Sequence, residues 1–125
     1  MKLFQDYLDE INEFFRSKGM TVDPLPTVKV DYKENKIYDP FIDTANYNSE
    51  TNTITVFVSN RQLKDILRSY CHELAHHSQN LTMGDDFKRI SKLGKLSEND
   101  ELSNLEEEAY RNGNILFRKW TESRK

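Results

Sequence analysis

The sequence predicts an α+β fold: an N-terminal helix, a small β-sheet, and two long helices in the second half of the chain. Three observations carry that prediction. Apolar residues recur at helical spacing over residues 3–15, 61–79 and 102–120; alternating segments punctuated by turn residues fill 28–58; and a length of 125 residues gives room for one hydrophobic core and no second. Residues 1–125 therefore read as a single domain.

Leu3, Phe4, Tyr7, Leu8, Ile11, Phe14 and Phe15 follow the helical period, and Gly19 closes that segment as a C-terminal glycine would. The polar face mixes Asp and Glu with Lys and Arg, which suits packing on a core better than lying on a lipid surface. After Pro24 and Pro26, Val28 to Tyr32 alternates as a short strand, and Lys36 to Tyr38 reads as another. The turn Asn48-Ser49-Glu50-Thr51-Asn52 makes Ala45–Tyr47 and Thr53–Val58 the arms of a hairpin. Ile54, Val56 and Val58 face one way, and Thr55 and Phe57 the other. The strand that forms the sheet edge is left open.

Arg61 to Gln79 holds no Pro or Gly, and Leu63, Leu67, Tyr70 and Leu74 form one buried helical stripe. Ser59 or Asn60 is expected to cap this helix, and Gly84 lies beyond its end. Ile66, Glu73 and His76 share a neighbouring stripe, at the border of the core and open to a cleft. Asn80 to Leu96 reads as a polar connector with a short helix over Phe87–Leu93, in which Lys88, Arg89, Lys92 and Lys95 are solvated. Ser97-Glu98-Asn99-Asp100 reads as a capping box for the last helix, whose buried face runs through Leu102, Leu105, Ala109, Leu116 and Trp120. Ala109 and Gly113 are small enough to let another helix come close.

Composition narrows the function. Eighteen basic and twenty-one acidic residues give a net charge of −3, which offers no general attraction for nucleic acid. No apolar run reaches membrane-spanning length, and the first residues lack the layout of a signal peptide. The single cysteine, Cys71, cannot form an internal disulfide; it points about 100° away from His72 on the same helix and reads as a small buried residue. These features predict a cytoplasmic protein with neither a nucleic-acid nor a membrane partner, of undetermined oligomeric state.

Chemistry concentrates in His72-Glu73-Leu74-Ala75-His76. Positions i and i+4 of a helix lie on one face, so both imidazoles can reach one zinc ion, with Glu73 beside it as a base for a metal-activated water. A chain of this length carries HExxH by chance on the order of once in a few hundred sequences. Its only histidines, His72, His76 and His77, all fall in this stretch, which favours one bound Zn2+ ion over scattered surface histidines. A catalytic site needs a third protein ligand. No histidine remains, and Gln79 and Thr82 stand where the metzincin continuation requires Gly and His, so the donor is a carboxylate. The richest source is Glu106-Glu107-Glu108, of which Glu107 should face solvent and at least one serves only as a solvated residue favoured by the helix dipole.

Taken together these residues resemble the gluzincins, in which HExxH on one helix is joined by a glutamate of a later helix. The segment Glu106-Glu107-Glu108-Ala109 is most similar to that of ImmA/IrrE-type metallopeptidases and of the minigluzincins. The resemblance implies a minimal zincin-like fold, His72, His76 and Glu106 as metal ligands, and Glu73 as general base. It also implies an edge strand that holds an extended peptide by adding it to the sheet. Such families often place Asp or Asn after the alanine; here Tyr110 stands there, leaving Tyr110, Glu108 or a backbone carbonyl to orient the first histidine. Tyr47, Tyr70, Tyr110, His77 and Arg111 are candidates to stabilise an oxyanion, with His77 assigned to the surface or to contacts behind the ligands.

The function expected on this basis is zinc-dependent endopeptidase activity on a peptide or protein substrate, by analogy a regulator. The alternative is a catalytically silent zinc-binding regulatory or interaction module on the same fold. A metal hydrolase of non-peptide substrates is a third, for which no Gly-rich phosphate loop is present.

Overall fold

Helical spacing of apolar residues sets the first packing surface in the computed structural model, which describes residues 3–33, 44–93 and 100–124. Helix α1 (Phe4–Ser17) buries Leu8, Ile11 and Phe15 and rests Phe4, Tyr7 and Phe14 against the margin of the same cluster. Each fully buried side chain of this size contributes about 1.5–3 kcal/mol. Leu3, expected on that face, is exposed. Gly19 follows the helix with φ of 89°.

The sheet is three-stranded and mixed. Strand β1 (Thr27–Asp31) pairs in parallel with β3 (Thr53–Phe57), and β2 (Ala45–Asn48) pairs with β3 antiparallel, in the order β1-β3-β2. The hairpin of the sequence reading is present, and its central strand buries Ile54 and Val56 completely. Both arms contact α2 (Leu63–Met83), and β2, at one end of the strand order, is the sheet edge beside that helix. The strand read at Lys36–Tyr38 lies outside the described residues.

Helix α2 starts later than expected and is capped differently. Gln62 is the N-cap and provides no side-chain hydrogen bond. Ser59 Oγ instead donates to the Tyr32 carbonyl (2.6 Å), and Asn60 takes φ of 60° in the turn. Arg61 fastens the junction: its guanidinium donates to the carbonyls of Thr44, Phe57 and Asp65 and to Ser69 Oγ, at 2.8–3.0 Å. The first turn of α2 is thereby tied to β2 and β3. Leu63 is exposed, while Leu67, Tyr70 and Leu74 form the buried stripe.

Gly84, at φ 61°, breaks the chain between α2 and α3 (Asp85–Ser91), a helix that starts two residues before the one expected. Phe87 and Ile90 of α3 are buried with Leu105. Two basic residues of this stretch form exposed ion pairs, Arg89 with Glu101 (3.1 Å) and Lys92 with Glu50 (3.2 Å), and Lys95 lies outside the described residues. Helix α4 (Asp100–Ser123) buries Leu105, Ala109, Gly113, Phe117 and Trp120, with Leu116 half-buried. Most of its capping box, Ser97 to Asn99, lies outside the described residues. Among the described residues no helix is long and apolar enough to cross a membrane.

Helices α2 and α4 make the principal packing interface, and Gly113 sets its closeness. A Cβ at that position would stand 3.0 Å from His72 Cα, 3.1 Å from the Cys71 carbonyl oxygen and 3.2 Å from His72 N. All three are backbone atoms of a buried helix, which cannot turn aside as a side-chain tip can. Gly113→Ala therefore has a predicted sign opposite to the ordinary helical preference, under which alanine gains roughly 1 kcal/mol over glycine. The substitution should lower the stability read by thermal or urea unfolding, by about 1–3 kcal/mol. An increase in stability would show that the two helices are free to separate.

Candidate metal centre

The α2–α4 interface brings together residues from two parts of the chain. His72 and His76 project from one face of α2, with ring centroids 4.8 Å apart. His72, Glu73 and His76 each offer a donor atom within 4.8 Å of the others, a spacing that can hold a metal ion. Glu106, the first of the three acidic candidates on α4, lies opposite: Oε1 is 3.2 Å from His76 Nε2 and Oε2 is 3.6 Å from His72 Nε2. Glu107 faces outward, bonded to Arg111, as expected. Glu108 is exposed but lies 3.4 Å from the Gln79 amide nitrogen.

Hydrogen-bond inventory fixes the proton on His76. Gln79 Nε2 donates to the Leu105 carbonyl (3.0 Å), an atom that can only accept, so Gln79 Oε1 is the atom 2.8 Å from His76 Nδ1. His76 Nδ1 is therefore the N–H. In the neutral ring its Nε2 is a bare lone pair aimed at a carboxylate, and two acceptors at 3.2 Å require a positive charge between them or on the ring. The electrostatics agree. Burial pulls His76 down, but the Glu106 hydrogen bond together with Glu73 and Glu106 raises it overall, while both imidazoles hold Glu106 well below the usual carboxylate range.

Separation of the donors tests whether a metal fits. A tetrahedral ion with ligand bonds of about 2.0–2.2 Å keeps its donors roughly 3.3–3.6 Å apart. The two imidazole-to-carboxylate distances, 3.2 and 3.6 Å, bracket that value. Two buried atoms at the site also have no hydrogen-bond partner among the described residues, His72 Nδ1 and Glu73 Oε2. Glu73 is buried; desolvation raises its carboxyl above the ordinary range, the imidazole charges offset part of that, and the Glu106 charge adds to it. Two nitrogens and a carboxylate suit a divalent ion of borderline softness.

The other candidates separate clearly. His77, expected at the surface or behind the ligands, is fully buried and turned into a different network. Its Nε2 donates to the Pro24 carbonyl (2.7 Å), so Nδ1 accepts from the Tyr47 hydroxyl (2.8 Å), and burial lowers its basicity. Asn80 Nδ2 donates to both Tyr47 Oη and Asn52 Oδ1 (2.9 Å each). Tyr47 is thus committed, as is Tyr70, whose hydroxyl donates to buried Asn12 (2.6 Å). Arg111 lies with Glu107 on the outer face. Of the five oxyanion candidates Tyr47 and Tyr110 line the cleft; Tyr47 is held by His77 and Asn80, whereas Tyr110 is 65% exposed with its ring edge-on to His72 at 6.1 Å. It does not bond His72 Nδ1, so the orienting role considered for it is not filled. Cys71 is fully buried, and burial pushes its thiol up, as suits a packing residue.

Gln79, which bonds the His76 ring, is the residue of this site that the motif reading did not include. Its position three residues after His76 puts it on the same helix face, a signal that spacing alone supplies. Among known proteins, no family model, curated sequence or solved structure matches this chain.

Two measurements check these assignments. Gln79→Leu should weaken zinc binding about 10–100-fold in a competition titration, because the His76 ring loses the acceptor that fixes its tautomer; unchanged affinity would discount that bond. Tyr47→Phe should destabilise the fold by about 1–3 kcal/mol in urea unfolding, since His77 and Asn80 both lose a buried partner. Equal stability of the two proteins would show the network to be slack.

Proposed function

We propose that the chain is a zinc-dependent metallopeptidase of gluzincin type on a minimal zincin-like fold, acting on peptide or protein substrates. One observation carries this reading above the rest: the Nε2 atom of an imidazole and a carboxylate from separate helices meet at metal-ligand spacing, beside a buried glutamate with an oxygen that is unpartnered among the described residues. His72 Nε2, His76 Nε2 and the Glu106 carboxylate would hold one zinc ion. Glu106 suits the third position better than Glu73, because its two oxygens face the two imidazole nitrogens, one each.

Zinc in such a site supplies Lewis-acid polarisation of a carbonyl and lowers the pKa of a water toward neutrality. The chain's own residues supply the proton movement. Glu73, whose Oε2 has no hydrogen-bond partner among the described residues, would accept a proton from a water and return it to the leaving amine. Its raised affinity for protons brings it nearer to the working pH than an ordinary carboxylate, which favours both halves of that transfer. Tyr110, exposed at the cleft, is the remaining side chain of the oxyanion set able to meet a developing negative charge. Strand β2, at the sheet edge, supports binding of an extended chain through main-chain hydrogen bonds.

The test is a single conservative change in the zinc-loaded protein. Glu73→Gln should retain one zinc per chain and the unfolding midpoint while reducing cleavage of an unstructured protein at least about a hundredfold. Zinc retained by both proteins with no cleavage by either would assign the silent binding module instead. Glu106→Ala should weaken zinc binding far more than Glu107→Ala; the reverse order would move the ligand.

A further inference from the structure

The cleft continues past the metal centre in both directions, and its two ends differ in chemistry. Toward α3, the groove beside Glu73, His76 and Glu106 is walled by Tyr47, Phe87, Leu102 and Leu105. The Phe87 ring lies 6.0 Å from the His76 ring, so this apolar wall begins next to the reacting position. Toward the N-terminal end of α2, a second groove contains His72, Glu73, Arg68, Tyr110 and Asn114. Arg68, Tyr110 and Asn114 also wall a third depression that adds Lys64 and Arg118 and contains no carboxylate. Ala45 and Glu73 belong to both central grooves, which join beside the start of β2, and the third depression meets the second at Arg68, Tyr110 and Asn114.

Charge lining the Arg68 end of this cleft is one-sided although the protein as a whole is acidic. Lys64 and Arg118 are exposed and form no ion pair among the described residues; Arg68 pairs with Asp65 at 3.3 Å, and its guanidinium lies over the Phe117 ring at 5.4 Å from the ring centre. Arg68 precedes His72 by one helical turn, about 6 Å along α2. An extended chain advances about 3.3 Å per residue, so a side chain facing Arg68 belongs to a residue about two positions from the metal centre.

We infer that the groove selects an extended peptide with an acidic side chain about two residues from the scissile bond on the Arg68 side and a bulky apolar side chain next to that bond on the Phe87 side. This rests on the peptidase reading for the word scissile only; the binding preference is a property of the groove itself. An acid is stabilised at one end by three cations in a partly desolvated trough, and an apolar side chain leaves water against Phe87, Leu102 and Leu105 at the other.

Binding and cleavage are measured separately so that the two readings fail separately. Fluorescent peptides carrying Asp and Phe at those positions, with Lys for Asp or Ser for Phe as controls, and each made in both chain directions, are titrated by anisotropy into zinc-loaded Glu73→Gln protein. In one direction the Asp/Phe peptide should bind at least about fivefold more tightly than either control, the scale of one or two exposed ion pairs or a half-buried ring. The Lys64→Glu/Arg118→Glu protein, checked for zinc content and unfolding midpoint, should reverse the Asp-over-Lys preference. Equal affinities for all peptides, or a preference untouched by charge reversal, would overturn the inference. Selective binding with no cleavage by the Glu73 protein would leave the groove assignment standing and remove the peptidase; cleavage without selectivity would do the opposite.

Discussion

The contact on which this structure depends is the approach of α4 to the backbone of α2 at Gly113. The two imidazoles belong to one helix and the facing carboxylate to another, and no covalent or local constraint relates them. Their separations of 3.2 and 3.6 Å exist only because the helices touch where α4 has no Cβ. Metal–ligand distances tolerate deviations of about 0.2 Å, whereas a side chain inserted at a backbone contact displaces a helix by more than that. The most demanding geometry in the molecule is therefore set by the residue with the least chemistry.

Closeness has a second consequence, for the polar half of α2. Residues 73–80 are buried in succession, and only Leu74 and Ala75 among them are apolar. A helix with such an interior is stable only if its polar atoms find partners. His76 and Gln79 reach across to the Leu105 carbonyl of α4, while His77 and Asn80 reach the other way to Pro24, Tyr47 and Asn52. The second set ties the hairpin that carries the edge strand to the helix that carries the imidazoles. One side of the helix holds the ligand geometry and the opposite side holds the strand beside which a substrate would lie.

Periodicity made the four helical segments and the hairpin legible, because burial of one face is written at 3.6- and 2-residue spacing. The parallel pairing of β1 with β3 was not, since it depends on a connection through residues with no such pattern. The cap of α2 misled for a related reason. Ser59 and Asn60 are good capping residue types, yet Ser59 is drawn to the Tyr32 carbonyl, a contact distant in sequence, and Arg61 secures the helix start. At the site, fixed spacing revealed His72, Glu73 and His76, and the small-residue stripe marked where Glu106 would face them. Gln79 and His77 were obscured because a polar residue on a helix reads as solvated until the neighbouring elements are known.

Glu73 and Glu106 show how one interface gives two carboxylates opposite properties. Glu106 lies between two imidazoles and is held ionised; Glu73, packed into the helix with an oxygen that meets no donor, is pushed the other way mainly by desolvation. Pairs of acids whose environments drive their proton affinities apart are the arrangement that assigns one to charge and the other to proton transfer. Leaving a carboxylate oxygen buried and unmatched costs on the order of 1–3 kcal/mol, and a glutamine with its own amide bonded, or an apolar residue, would avoid that cost. Glu73 lines both of the grooves that meet beside the two imidazoles, one containing His76 and the other His72.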